Sequence, residues 1–434
     1  MSTLNNNIVD ILKNALHELQ QGTPKEKIKE KYGSYFSKIS PVEVVVAEQK
    51  LMESGVPVKD IVQFCDLHVE LIREYLSDVT IKDLPRFHPL SLLIRENEEI
   101  LKLAEGVPAL AFSLSRENSE EMRSSLSKQL ILFTKRLRGL LRAHYRKNQM
   151  LIFPYLERAG IVAPPRVLWS IEDEVIRDLW NLEKNLSENK YNSNSIVEEA
   201  TQISRKISEL VFRENRILYP TMKALLREAN WKAVHLEAKR IGYIVPLEED
   251  WNPPVEPEYP YQFVRRLTQG EIEKLPEEIK AFAMSAVPDE YTIEKEDDIR
   301  LKNGFLGVEE LEGVMKGLPL EITFADTNDR IRFFSESEVS KGFPRSKTIV
   351  GRNLLYCHPP RLEKYIQLNI DLLKKNKEKY REFWTRLGDR ILRVLVVGVR
   401  DEKGNYIGTM EVVEDFTEIL LHSNEILEKK LVVL

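Results

Sequence analysis

Cysteine is nearly absent: Cys65 and Cys357 are the only two in 434 residues. Two isolated thiols build no disulfide framework, and a reducing, cytoplasmic setting is expected. Long apolar runs are missing too. None approaches the roughly 18 residues needed to span a bilayer, so no membrane association is expected. The opening MSTLNNNIVDILKNALHELQ has no charged stretch followed by an apolar one, and a signal peptide is not expected. There is no glycine-rich phosphate loop, no GxSxG elbow and no GxGxxG after a strand. With no catalytic pattern in view, the expectation is a protein that is not an enzyme. Charge of one sign is not in large excess either. The 64 basic residues against 69 acidic ones leave a net charge of −5, which argues against global attraction to nucleic acid but leaves local patches open.

Hydrophobic residues at 42% and charged residues at 31% are enough to bury several cores, as two to four domains. Ile8, Ile11, Leu12, Ala15, Leu16 and Leu19 mark one apolar helical face over 8–21. Similar periods run over 26–36, over 41–53 behind the Ser40-Pro41 start signal, and over 58–77 after Gly55-Val56-Pro57. These short helices predict a small helical domain over 1–80. Four longer patterns, at 89–104, 119–153, 167–187 and 195–226, predict an antiparallel four-helix bundle over 84–240. The segment 241–270 is proline-rich and acidic and is expected to be an extended linker. Helical patterns make 271–318 a lead-in. From 319 the period becomes that of strands: a hairpin over 319–335, a helix over 361–376, and strands at 382–387, 390–400 and 406–415. The turn at 401–405 joins the last two strands. An antiparallel sheet with helices on one face is expected over 319–422, then a C-terminal helix over 423–434. The fold class is multidomain, α followed by α+β.

One internal repeat stands out. LysAsnGlnMetLeuIlePhePro at 147–154 matches ArgGluAsnArgIleLeuTyrPro at 213–220, an offset of 66 positions. Proline inside a helix costs about 3 kcal/mol, so its recurrence at matching places needs a structural reason. Two related helices in a pseudo-symmetric bundle are expected.

The segments 88–91, 144–154, 168–174 and 212–220 resemble hemerythrin-like cation-binding bundles. Residues 40–49 and 65–69 resemble a helical domain of unknown function that precedes such bundles. The region from 319, ending GluValValGluAspPheThrGluIle at 411–419, resembles a PAS domain. The resemblance implies a metal-binding bundle core, and a PAS sheet that binds small ligands or partners and relays signals. It places His at 91 and 172 and Glu at 149 and 215, where this chain has Ser91, Glu172, Gln149 and Asn215; His88, His144 and Asp173 remain. Two lost carboxylates remove charge that a buried cation needs. The expectation is a lapsed metal site with no cofactor. The alternative is non-haem iron on the reduced set His88, His144, Asp173 and Glu172 or Glu214.

Cys65 and His68, three residues apart, are read as a buried structural pair, and His358 in CysHisProPro as a helix-start or turn residue. Candidates for a PAS cavity are Phe324, Ile331, Phe333, Trp384, Leu392 and Val394. From Arg123 to Leu156 there is no acidic residue, and Lys128, Lys135, Arg138, Arg142 and Arg146 fall on one helical stripe. That stripe is read as a solvated face paired with neighbouring acids, or as a docking surface for an acidic partner or a polyanion. The function expected is a non-enzymatic sensory or regulatory protein acting through a protein or ribonucleoprotein partner, with a PAS-mediated homodimer as a further candidate. The alternatives are a metal-dependent oxygen or redox sensor, and a factor binding a nucleic-acid-rich assembly such as the translation machinery through 128–147.

Overall fold

A computed structural model describes residues 21–36, 49–57, 84–263, 287–339 and 342–430, with single positions at 11, 14, 15, 17, 18, 61 and 81. The helix expected over 58–77, the Cys65–His68 pair and the first part of the lead-in fall largely or wholly outside these residues. The chain divides into two compact units, Met1–Thr292 and Ile293–Leu434.

In the first unit, α1 (Lys25–Phe36) sits where the periodicity placed a helix. Gln49 ties this end of the chain to the bundle: its side-chain oxygen accepts from Val162 N at 2.9 Å and Ala163 N at 3.0 Å. The bundle consists of α2 (Pro89–Arg116), α3 (Glu120–Lys147), α4 (Phe153–Arg158), α5 (Ala163–Ser187), α6 (Ser193–Arg213) and α7 (Tyr219–Leu225). Starts follow capping rules. His88 caps α2 through a bond from Leu90 N to Nδ1, and Ser119 caps α3. The first bundle helix runs 12 residues beyond its expected end at 104, straight through Gly106 and Pro108. The apolar stripe explains why: Ala104, Val107, Ala111 and Leu114 are all buried, which outweighs the cost of the proline. Gly106 leaves room there for the Phe133 ring of α3, which a Cβ would approach to 2.6 Å.

The internal repeat has a structural cause. Asn148–Ile152 and Glu214–Leu218 are both π-helical turns, the second starting 66 residues after the first. Each is followed by a helix with proline in its first turn, Pro154 in α4 and Pro220 in α7. A widened turn moves the carbonyl four residues back away from the proline ring, so the ring fits where an α-turn would clash.

The segment expected to be an extended linker is instead a strap. After α8 (Glu228–Ile241), residues 242–263 lie against the bundle. Phe263 is buried in the core, and Trp251 packs edge-on to His88 at 4.6 Å. Lys232 donates to the Pro253 and Val255 carbonyls, Asn230 to the Glu258 carboxylate, and Tyr155 to the Glu258 carbonyl at 2.6 Å. The prolines that suggested an extended chain hold it extended, but its carbonyls are bonded to the bundle rather than left to solvent.

In the second unit, β1 (Ile299–Leu301) and β2 (Gly304–Leu306) form a hairpin in the segment expected to be helical, and α9 (Val308–Gly317) follows. The five-stranded sheet is antiparallel: β3 (Leu320–Asp326), β4 (Ile331–Phe334), β5 (Tyr380–Leu387), β6 (Arg390–Arg400) and β7 (Tyr406–Asp415), in the order β4-β3-β7-β6-β5. Register fixes its faces, since paired residues share a face and neighbours alternate. Ala325 pairs with Ile331, and Val394 with Val413, on the inner face, where Ile370 of α10 (Glu363–Lys374) packs. Arg345 bridges the Glu321 and Glu411 carboxylates there at 2.6 and 2.7 Å.

Candidate functional site

Six side chains with 0% exposure, Glu96, Asn97, His144, Asn148, Glu172 and Glu214, form a polar cluster inside the bundle. Each sits on the apolar stripe of its helix, or at the start of a π-turn, so helical phase alone carries it inward. His144 lies between two carboxylates, its Nδ1 2.7 Å from Glu96 Oε2 and its Nε2 2.8 Å from Glu214 Oε2. Glu214 Oε2 also accepts from Asn97 Nδ2 at 2.8 Å and from Tyr219 OH at 3.1 Å. Asn97 reaches Asn215 Oδ1 at 3.0 Å, and Gln149 donates to Glu172 Oε2 at 2.7 Å. Glu96 Oε1 takes the Ile244 N–H at 2.9 Å and faces Lys147 Nζ at 3.2 Å; Lys147 also donates to the Gly242 carbonyl at 2.8 Å.

Two buried cations therefore stand among the carboxylates. Burial opposes charging His144, but the Glu214 and Glu96 carboxylates outweigh it and push the imidazole up to about 9. Burial would raise the Glu96 carboxyl, yet the bond and charge of His144, Lys147 and the Ile244 N–H hold it below the usual range. Burial brings Lys147 down, with Glu96 opposing. Glu172 is pushed up to about 8 by burial first and the Glu214 carboxylate second, so it is mostly protonated at neutral pH. The cluster then holds two carboxylates, an imidazolium and an ammonium, and is charge-balanced.

The expected ligand set is only partly brought together. His144, Glu172 and Glu214 reach the core. Asp173 does not: it is more than half exposed and pairs with Arg177 one turn on at 3.0 Å. His88 is buried elsewhere, between Trp231 and Trp251, and burial lowers it to about 4. Ser91 donates to the Pro85 carbonyl in the first turn of α2. The inward positions of the repeat are Asn148 and Glu214, one residue before the expected Gln149 and Asn215, which are half-buried and serve as hydrogen-bond partners. Glu96, Asn97, Lys147 and Tyr219 were not anticipated. A charged or amide residue in an apolar helical phase, as Glu96 and Asn97 are between Leu93 and Ile100, is the signal that finds those two.

The remaining candidates divide similarly. Arg138 is largely withdrawn from the basic stripe into a two-pronged pair with Glu183 of α5 at 2.7 and 3.0 Å, whereas Lys128, Lys135, Arg142 and Arg146 are exposed. The six cavity candidates do not share a face. Ile331, Leu392 and Val394 are inside, while register puts Phe324, Phe333 and Trp384 outside, with Trp384 edge-on to Phe416 at 5.2 Å. His358 takes the turn role expected of it, its Nδ1 3.0 Å from the Leu354 carbonyl.

A di-iron centre needs several imidazole and carboxylate donors free to converge. This cluster has one histidine, with both nitrogens already engaged by carboxylates. Its buried atoms without hydrogen-bond partners are Tyr145 OH, Asn97 Oδ1, Asn148 Nδ2 and one oxygen each of Glu172 and Glu214. Among the described residues, no group of three or more His, Cys, Asp or Glu is arranged to hold a metal ion. The residues present do not fit a di-iron centre.

A four-helix bundle with an inward polar cluster, followed by a five-stranded antiparallel sheet backed by helices, defines the class: a helical bundle domain followed by an antiparallel α+β domain. The comparisons agree. Residues 12–78 match a family of unknown function (DUF438), residues 88–222 the hemerythrin HHE cation binding domain, and residues 311–417 a PAS domain. The comparison with curated proteins finds no match. Among solved structures, a C-terminal domain from Streptococcus mutans is 27% identical, over 30% of this chain and 98% of that one, with a TM-score of 0.28. A sensory box sensor histidine kinase from Vibrio cholerae is 16% identical, over 24% of this chain and 88% of that one, with a TM-score of 0.19. At such TM-scores, neither lends this chain a fold or a role. Among the described residues, no helix is long and apolar enough to cross a membrane.

Proposed function

We propose that this chain is a sensory or regulatory protein that acts through a partner, without enzymatic activity of its own, and that its bundle works as a metal-free structural module. The domain pairing supports the sensory role. The observation that carries the metal-free reading is His144, held between Glu96 and Glu214, with Lys147 supplying a second buried cation. Internal cations neutralise the carboxylates that a metal would otherwise neutralise. The reading includes a cytoplasmic setting, a protein or ribonucleoprotein partner, and self-association through the PAS domain. The test is elemental analysis of protein purified without chelator, with an optical spectrum and a melting curve before and after adding ferrous iron. Well under one equivalent of metal, no oxo-bridge band and an unmoved melting temperature are expected. Stoichiometric iron that vanishes with His144→Ala would overturn the reading.

A second reading, a metal-dependent sensor, is favoured by one observation: Tyr145 OH and one oxygen each of Glu172 and Glu214 are buried without partners. These are hard oxygen donors, and the same metal analysis decides between the two.

A further inference from the structure

The bundle takes Arg138 and Lys147 out of the basic run on α3 but leaves most of it exposed. Lys128, Lys135, Arg136, Arg142 and Arg146 are exposed, and no acidic residue occurs between Arg123 and Leu156. Lys128, Lys135, Arg136 and Arg146 have no ion-pair partner among the described residues. Leu132, 69% exposed, lies on the same side. Gly139 opens the middle of this side, with no atom within 4 Å of the place a Cβ would take. Positions 128, 132, 135, 139, 142 and 146 follow steps of four, three, four, three and four, the spacing that keeps a seam facing a second helix. The seam extends for about 27 Å at 1.5 Å per residue.

We infer that this seam docks an acidic amphipathic helix of a partner protein. The inference rests on the reading of the chain as a regulator that acts through a partner. Charge complementarity sets the sign of the partner. Like charges three and four residues apart repel one another along α3, and a matching row of carboxylates relieves that repulsion. The apolar and small positions set its form. Leu132 gains nothing from a phosphate backbone but is buried by an apolar residue of a packed helix. Gly139 lets a second backbone approach closely where a larger residue would hold it off. A nucleic acid would use the cations alone.

The test titrates the full chain against three fluorescent probes, read by anisotropy. One is a synthetic helix of about four heptads with Glu and Leu at the complementary spacing. The second has the same composition scrambled, and the third is a mixed-sequence RNA duplex. The patterned peptide is expected to bind at least about tenfold more tightly than the scrambled one. Lys135→Glu with Arg146→Glu weakens it by about tenfold or more, and Leu132→Ser weakens it as well. All these residues are exposed, so circular dichroism and melting should stay unchanged. Equal binding of the two peptides, or RNA binding lost on charge reversal but indifferent to Leu132→Ser, overturns the inference. Self-association of the chain abolished by the same reversals overturns it too, in favour of a second copy. None of these results bears on the metal content, so the broader reading stands or falls separately.

Discussion

Removing Lys147 should cost the bundle more than any exposed charge could. Its side chain is 1% exposed, and Nζ lies 3.2 Å from Glu96 Oε1 and 2.8 Å from the Gly242 carbonyl. At that separation and an effective dielectric of about 20, the attraction to Glu96 is about 5 kcal/mol before desolvation is counted. Lys147→Met keeps the apolar stem but leaves two carboxylates against one imidazolium, with the Gly242 oxygen unbonded. Breaking a buried pair from one side costs about 3–5 kcal/mol, which is about 10 °C in melting temperature for a unit of this size. Adding Glu96→Gln restores charge balance while leaving an oxygen to accept from Ile244 N. The double variant should therefore recover more than half of the loss, despite carrying two substitutions. Urea denaturation followed by far-ultraviolet circular dichroism measures both. A single variant within about 1 kcal/mol of the parent, or a double variant that loses the sum of the two single effects, would refute charge balance as the principle of this core.

Two raised groups in the core, Glu172 and His144, make stability fall as the pH rises across neutrality. Glu172 contributes fully below its ordinary value of 4.5 and loses that contribution as the pH rises through about 8. His144 contributes fully below 6.5 and loses it as the pH rises through about 9. Below about pH 6.5 the gain from His88, lowered to about 4, opposes the loss from Glu172; from about 6.5 to 9 the bundle should lose stability steadily in denaturation curves, and Glu172→Gln should flatten the lower part of that decline. Glu256 and Glu258 in the strap should resist a glutamate-specific protease, and Asn230→Ala, which frees Glu258, should speed cleavage there several-fold. Phe263→Ala should destabilise the first unit by about 3–5 kcal/mol in the same urea assay. Restoring the family pattern with Ser91→His, Gln149→Glu, Glu172→His and Asn215→Glu should leave metal uptake below one equivalent by elemental analysis, because position 91 faces Pro85 rather than the cluster.

Periodicity made the long helices and the meander of the sheet legible, because a packed helix or strand writes its buried face into the sequence at a fixed interval. Punctuation was less dependable. The first bundle helix was expected to end at 104, but burial continued through Gly106 and Pro108 and prevailed. The prolines of 246–260 spoke for extension and said nothing about whether bundle side chains would take their carbonyls. His144 was taken from a resemblance, and helical phase carries it into the core. Asp173 was also taken from that resemblance, and helical phase carries it to solvent beside Arg177. Lys147 was invisible as a core residue because a lysine at a helix end normally serves the terminus; only the strap returning over it, through Gly242, closes the space around its ammonium. Sheet faces were undecidable in advance, since alternation gives two equivalent answers until register chooses one.

The paired π-turns have a consequence for how such bundles are compared. Each behaves as a one-residue insertion that the helix has absorbed without breaking, at 148–152 and again at 214–218. A sequence laid beside this one without a gap at those points is out of step for the rest of the helix. Every residue beyond the bulge is then credited with its neighbour's position. Homologous helices should be aligned up to Lys147 and Arg213 and then realigned from Phe153 and Tyr219, with the gap placed between. Deleting one residue from each bulge is the physical counterpart of that gap. The widened turn would close to an α-turn, α4 and α7 would keep their phase, and the carbonyl four residues back would return against the ring of Pro154 or Pro220.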